Sequence, residues 1–367
     1  MKFKLSLIVL GFLSMVVFGD IRVSLGQYLL DDDPYRECLR VGKDGNIYIA
    51  DKQNYFIRVF SKNGEYLYSL GGKGEGPGYF KRWYGAYDID EKGNIYQVDF
   101  FNGNKRITQF SSDGKVLRSF PLKVTGNNGG IAIFALKDGN FVIGLTDGLV
   151  VEKKGRLFFM GAKTAFSIVD SQGSVKEKLS EDTLFRSFSD ETQSGWPNIP
   201  YPVYYCSAYC PLESKLIFQK NDSDTLNILD LKTGRISQIE NGFSKQPVDD
   251  NDLDAWIDEQ EKINPKFKLL EPFYKKFLEN GKEYVLFKPI VDRIFFNPEG
   301  EFFVASFDKK GKKYHVKKFS RQNKFIKGVE FKTIPSFIAK DKLYYLIYNE
   351  EEDNYWLEIK KRKGDFF

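Results

Sequence analysis

The sequence predicts an all-β fold: a six-bladed β-propeller of four-stranded antiparallel blades, closed by the N-terminal strand. Three observations carry that prediction. A strand–turn–strand phrase is written at least twice, as "GNIYIAD" through "YSLGGKGEGPGYF" (45–80) and again as "GNIYQVDFFNGNKRITQFSSDGKVLRSF" (93–120). Fainter copies follow at similar spacing, and internal repeats of this length signal stacked units that cannot bury their faces alone. The composition agrees, with 34 Phe, 21 Tyr and 32 Gly against 13 Pro, the mark of many short strands joined by tight turns.

The first nineteen residues, "MKFKLSLIVLGFLSMVVFG", stand apart. Two lysines precede an uncharged apolar run from Leu5 to Phe18, and Val17 and Gly19 are small enough to flank a cleavage site. The run is shorter than the roughly 20 residues that span a bilayer. It reads as a secretory signal peptide, residues 1–19, with a mature chain of one domain over 20–367. No cysteine follows the run, so a lipid anchor is not expected there. The expected location is outside the cytoplasm: periplasmic, cell-surface or secreted. The membrane is then met only through the signal peptide, during export.

The first blade is read from residues 35–71. "YRECLRVGKDGNIYIAD" (35–51) matches "YGAYDIDEKGNIYQVD" (84–99), each a strand, a Gly turn and a strand ending in Asp. "IRVFSKNGEYLYSLG" (57–71) matches "ITQFSSDGKVLRSF" (107–120), two strands around Asn-Gly or Asp-Gly, which tolerate the positive φ of a hairpin turn. A third unit takes 135–145 and 165–180, a fourth 212–220 and 225–240, and a fifth 295–307 and 314–331. Residues 337–349 and 355–363 supply three strands of a sixth. Its fourth strand is sought at the other terminus, where "VSLG" (23–26) parallels "YSLG" (68–71). Such closure removes an open sheet edge.

Connections in such a ring alternate between two faces. First-to-second and third-to-fourth strand turns are short throughout: "GKDG", "DEKG", "KNG", "SDG", "SQG", "KTG", "NPEG". The other class holds the elaborations: the crossovers 71–85, 185–205 and 241–284, and the segment 146–162 between a second and a third strand. One face is therefore expected to be built up and the other plain, and loops on a rigid scaffold are where binding surfaces lie. Within 241–284, Leu253, Trp256 and Ile257, then Phe267, Leu270, Phe273, Phe277 and Leu278 fall at helical spacing and end at Asn280-Gly281. A small helical insertion over about 245–282 is expected, packing its apolar stripe on the ring or serving as a lid.

Charge excludes one partner class. Lys and Arg number 55 against 50 Asp and Glu, and removing Lys2 and Lys4 leaves 53 against 50, a formal +3. The charges are interspersed except in the tail "KKRKG", and a net charge this small gives no steering field for nucleic acid. Three cysteines are present. Cys206 and Cys210 would lie about 13 Å apart in an extended strand and could bridge only across a turn. Cys38 is left over in either case.

The phrase "GNIYIAD…NYFIRVFSKNGEYLYSLGGKGEGPGYF" resembles the NHL-type repeat of six-bladed propellers. The resemblance covers about residues 35–120. Asn104-Lys105-Arg106-Ile107 fits its Asn-before-Arg-Ile pattern, whereas Asn54 and Arg58 are separated by an extra residue. The resemblance implies the fold and no particular activity. Amidating lyases share that fold but hold metal with several histidines, and this chain has one, His315. His315 lies mid-strand without a nucleophile signature around it, which disfavours a catalytic triad.

Remaining constellations are few. "GGKGEGPG" lacks the Gly-Lys-Ser/Thr of a phosphate loop and reads as a tightly bent crossover. Trp83, Tyr84, Trp196, Tyr201, Tyr204 and Tyr205 fall on the elaborated face, where exposed rings can stack on sugars or hold apolar peptide side chains. Asp51, Asp99, Asp147, Asp222 and Asp224 fall there too. Turn capping is the ordinary role of such residues. The alternative is an oxygen-ligand calcium site of the kind six-bladed gluconolactonase-type enzymes hold. Two functional readings result. The preferred one is an exported, non-catalytic scaffold, without cofactor, that engages a protein, peptide or glycan. The alternative is a calcium-dependent gluconolactonase-like hydrolase using Asp51, Asp99, Asp222 and Asp224.

Overall fold

The computed structural model describes residues 20–25, 39–51, 54–81, 86–101, 104–124, 130–154, 157–190, 199–200, 205–220, 223–244, 291–308, 311–349, 351–352, 354–364 and 366–367. Its strands form six antiparallel sheets arranged as the blades of a propeller. Blade one orders β2 (Leu39–Val41), β3 (Ile47–Asp51), β4 (Phe56–Phe60) and β5 (Tyr66–Gly71) from hub to rim. Blade two repeats this with β6 (Tyr87–Ile89), β7 (Ile95–Phe101), β8 (Asn104–Phe110) and β9 (Val116–Pro121). Blade four holds β15 (Tyr205–Cys210), β16 (Lys215–Lys220), β17 (Thr225–Asp230) and β18 (Arg235–Glu240). Blade five holds β19 (Arg293–Phe296), β20 (Phe302–Asp308), β21 (Lys313–Phe319) and β22 (Phe325–Phe331).

Closure occurs as the repeat demands. In blade six, β23 (Phe337–Ile338), β24 (Lys342–Asn349) and β25 (Asn354–Lys361) are completed by β1 (Ile21–Ser24) at the rim. Val23 lies opposite Leu357, and Leu25 N–H donates to the Tyr355 carbonyl at 2.7 Å.

Blade three departs from the expectation of four short strands. It contains β10 (Gly130–Ala135), β11 (Phe141–Lys154), β12 (Leu157–Val169), β13 (Val175–Asp190) and β14 (Ile199–Pro200). The segment 146–162 is thus a lengthening of two strands, paired from Phe141↔Val169 out to Lys154↔Leu157. The region 185–205, expected to be a crossover, starts as the continuation of β13 and returns as β14, with Ser187 opposite Pro200. From Ser174 to Ser194 the chain has no Gly, Pro or Asn. Nothing local therefore ends the strand.

Turn chemistry explains the regularity. Gly45, Gly64, Gly93, Gly114, Gly139, Gly173, Gly234 and Gly300, all in short turns, have φ between 69° and 88°, and Asn323 takes the same role at 65°. At Gly64 the need is also spatial, since a Cβ there would lie 2.3 Å from the Val23 methyl of the closing strand.

The core is a set of layers between blades. Buried Ile47, Ile49, Leu25 and Leu357 sit with blades six and one, Val98 and Ile143 with blades two and three, and Phe166 and Phe218 with blades three and four. Polar contacts also stitch the seams between blades. Tyr87 OH donates to Tyr48 O at 2.9 Å, Arg118 Nη1 to Ser171 O at 3.1 Å, and Lys215 Nζ to Arg321 O at 2.6 Å. Cys206 and Cys210 both lie in β15, buried and as free thiols. An extended strand holds their Cα atoms beyond bridging range, so the open question of a local disulfide resolves against it. Cys38 and the expected helical insertion lie outside the described residues.

Candidate ligand-binding face

The strand ends on the elaborated face are fixed by buried polar pairs. Asp51 ends β3 with its side chain fully buried. Its Oδ2 accepts from Arg58 Nη2 at 2.7 Å and Nε at 3.1 Å, and its Oδ1 accepts from the Asn54 backbone and amide N–H at 3.1 Å each. Arg58 Nη1 continues to Ser69 Oγ at 3.0 Å, and its guanidinium lies 4.6 Å from the Phe56 ring centre. One carboxylate thus ties three strands and a turn together. Tyr55 adopts φ 61° in that turn, and its carbonyl accepts from Gly72 N–H at 2.7 Å.

Asp99 holds the corresponding place in blade two, buried and 3.4 Å from Arg106 Nη2. Arg106 also donates to the Tyr79 carbonyl of the crossover. That crossover doubles back on itself: Phe80 N–H donates to Gly72 O at 2.8 Å and Gly74 N–H to Phe80 O at 3.0 Å. Phe80 plugs the seam against Phe110, with ring centres 6.3 Å apart, while Tyr79 remains 50% exposed. The glycines of "GGKGEGPG" therefore serve a folded crossover in which a buried Phe anchors an outward Tyr.

In blade four, Gln219 and Asn241 are fully buried. Asn241 Nδ2 donates to Ser223 O at 2.7 Å and Gln219 Oε1 at 3.2 Å, and Asn241 Oδ1 accepts from Phe243 N–H at 2.8 Å. This amide network sets the direction in which the chain leaves β18. Lys317 of blade five reaches it, donating to Gly242 O and lying 4.5 Å over the Phe243 ring. Burial there pushes its ammonium below the usual lysine range. Asp224 opens β17 and accepts from Thr225 Oγ1 at 3.1 Å.

The hub is locked by side chains of the inner strands. Asp88 lies 3.5 Å from Arg40 Nε and accepts from Ala135 N–H at 2.8 Å, linking blades one, two and three. Cys206 Sγ donates to Val291 O at 3.3 Å, and Arg293 Nη1 to Pro335 O at 2.8 Å. Burial raises the Cys210 thiol above its ordinary value. His315 lies in β21 with Nδ1 3.2 Å from Glu330 and Nε2 3.9 Å from Asp308.

The expected carboxylates are thus distributed as follows. Asp51 and Asp99 occupy equivalent ends of neighbouring blades, each facing its own arginine, and Asp224, two blades further on, accepts from the Thr225 hydroxyl. Among the described residues no group of three or more His, Cys, Asp and Glu is arranged to hold a metal ion. Asp222, Trp83, Tyr84, Trp196, Tyr201 and Tyr204 lie outside the described residues. The Asp51–Arg58 and Asp99–Arg106 pairs escaped sequence reasoning. Their signal was the recurrence of Arg seven residues after the strand-ending Asp.

No family model matches the chain, and no curated protein matches it. Among solved structures it is similar to a member of the DUF4221 family from Bacteroides vulgatus, with TM-score 0.50 and 11% identity over 94% of this chain and 97% of that one. At that identity the likeness shows the fold alone. Two looser likenesses carry no argument. One is to a candidate exported protein from Bacteroides fragilis (TM-score 0.49, 14% identity, 94% and 95% covered). The other is to a catalytically inactive virginiamycin B lyase from Staphylococcus aureus with quinupristin (TM-score 0.43, 12% identity, 88% and 80% covered).

Proposed function

We propose that this chain is an exported, non-catalytic propeller of NHL-type repeats that engages a protein, peptide or glycan on its elaborated face. The observation that carries the reading is the one-sidedness of the elaboration. Short turns close every blade on one face. On the other lie the folded crossover with exposed Tyr79, the lengthened strands of blade three and the departure point of the long segment after Phe243. The leader-like residues 1–19 support export. Rigid scaffolds with one decorated side bind through the decoration, and Tyr and Trp supply contact area at low entropic cost.

The test uses glycan and peptide arrays with the purified protein. Replacing Tyr79, Trp83 and Trp196 by Ala should weaken the selected binding at least about tenfold, as loss of aromatic anchors does, while thermal unfolding stays unchanged. Binding that survives all three replacements, or that is lost instead on changing plain-face turns, overturns the assignment of the face.

A further inference from the structure

Blade five presents a rim unlike the others. Six of the seven residues of β22 are exposed, among them Phe325 at 58%, Ile326 at 44% and Val329 at 39%. β22 is the outermost strand of its sheet, with no strand beyond it among the described residues. Successive side chains of a strand point to opposite faces. A bulge between Phe325 and Lys327 breaks this alternation. Phe325 pairs with Phe319, ring centres 5.8 Å apart, while Lys327 and Val329 pair with Lys318 and Val316. Phe325 and Glu330 therefore lie on one side of the blade tip, Lys327 and Val329 on the other.

Cations surround these apolar groups. Arg321, Lys324, Lys327 and Lys332 are all exposed within twelve residues, and Glu330 is the one acid among residues 320–332. Glu330 is already engaged, 2.7 Å from Lys313 Nζ and 3.2 Å from His315. The neighbouring turn of blade four adds Leu212, 49% exposed, and is held beside Arg321 by the Lys215 hydrogen bond. Other outer strands expose one or two apolar residues, such as Tyr66 and Leu67 or Val116 and Leu117. Scattered exposure of that kind is ordinary. Three large apolar side chains within one cationic strand are not.

We propose that the blade-five rim docks the propeller on an anionic phospholipid surface. Phe325, Ile326 and Val329 would enter the interface, while the lysine stems lie along them and carry their ammonium groups to the phosphates. Charge complementarity selects this occupant over a second copy. Edge pairing of β22 with itself about Gly328 would set Lys324 against Lys332, and edge lysines are a standard block to such pairing. β22 starts from the short turn at Arg321–Asn323, on the plain face, so docking leaves the elaborated face accessible. The proposal does not depend on the ligand reading. It departs from the sequence expectation that the membrane is met only during export.

Sedimentation of the purified mature protein with vesicles tests it, comparing phosphatidylcholine alone with phosphatidylcholine containing phosphatidylglycerol. Pelleting is expected only with the anionic vesicles, declining with added salt. It should fall at least about tenfold for Lys324→Glu/Lys327→Glu, since each lysine near a charged surface contributes measurably, and be lost for Phe325→Ser/Ile326→Ser. Both substitutions are at exposed positions, and unchanged thermal unfolding confirms that the fold persists. Should the serine variant unfold, the charge-reversed variant alone decides. Absence of pelleting, equal pelleting of neutral vesicles, or unchanged pelleting of the charge-reversed variant overturns the proposal. A doubled mass in light scattering, abolished by the serine variant and without pelleting, would assign the rim to a second copy and also overturn it.

Discussion

Removing the Asp51 carboxylate should destabilise the ring more than any exposed charge change, because it strands a cation. Asp51 is fully buried, and the side chain of Arg58 is 15% exposed. Asp51→Ala deletes both guanidinium contacts and all three Asn54 contacts at once, and Arg58 cannot discharge itself by losing a proton. Breaking a buried pair from one side costs about 3–5 kcal/mol. Arg58→Met should cost less, since the carboxylate keeps its Asn54 hydrogen bonds. In the double variant Asp51→Leu/Arg58→Met no charge is left, and only the Asn54 donors lose their acceptor, a cost of about 1–3 kcal/mol. The double variant should therefore be more stable than Asp51→Ala. Urea unfolding followed by near-UV circular dichroism measures all three, with Asp99→Ala, whose partner sits at 3.4 Å, as the weaker comparison. A cost below about 1 kcal/mol for Asp51→Ala, or a double variant as damaged as the sum of the singles, would refute the argument. Stoichiometric calcium in the purified protein, lost on Asp51→Ala, would instead favour the carboxylate-metal reading.

Other perturbations bear on different seams. Gly64→Ala should destabilise by more than the roughly 1–2 kcal/mol of a left-handed non-glycine residue, because its Cβ meets Val23 of the closing strand. Gly139→Ala has the same φ class with nothing within 4 Å and should show the backbone cost alone in the same thermal melts. Gln97 is fully buried, and neither end of its amide meets a partner among the described residues. Gln97→Leu should therefore leave denaturant stability unchanged or raise it by up to about 1–3 kcal/mol, and a clear loss would show that the amide is bonded. Burial pushes the Tyr344 hydroxyl up to about 12 from its ordinary 10 and raises Tyr48, Tyr96 and Tyr209 as well. The folded state then keeps protons that the unfolded chain releases, so stability should be intact below pH 10 and decline as pH rises through about 12. Tyr344→Phe should flatten that decline in melts taken across the same range.

What could be read in the chain, and what could not, divides by the range of the interaction. Asn63-Gly64, Asp113-Gly114 and their counterparts fix hairpins through backbone conformation alone, so blade count and the closing role of "VSLG" were legible. The absence of a stop signal is weaker information than its presence. For that reason the strands that run on from Leu145 to Lys154 and from Ser180 to Asp190 looked like loop insertions until pairing partners were placed across from them. The candidate face followed from the alternation of connections, because chain direction dictates which end of a blade each loop occupies. Which acid meets which base did not follow. Asp51 meets Arg58, Asp88 meets Arg40 of the preceding blade, and Gln97 lies where an Ile stands in blade one. The sequence by itself determined the repeating unit and its number through hairpin contacts only a few residues apart. It pointed to closure because the count left the last blade one strand short, although that strand pairs with the far end of the chain. The tertiary structure alone decided strand length in blade three, the pairing of buried charges and the exposure of the blade-five rim, because each depends on what a distant segment places alongside.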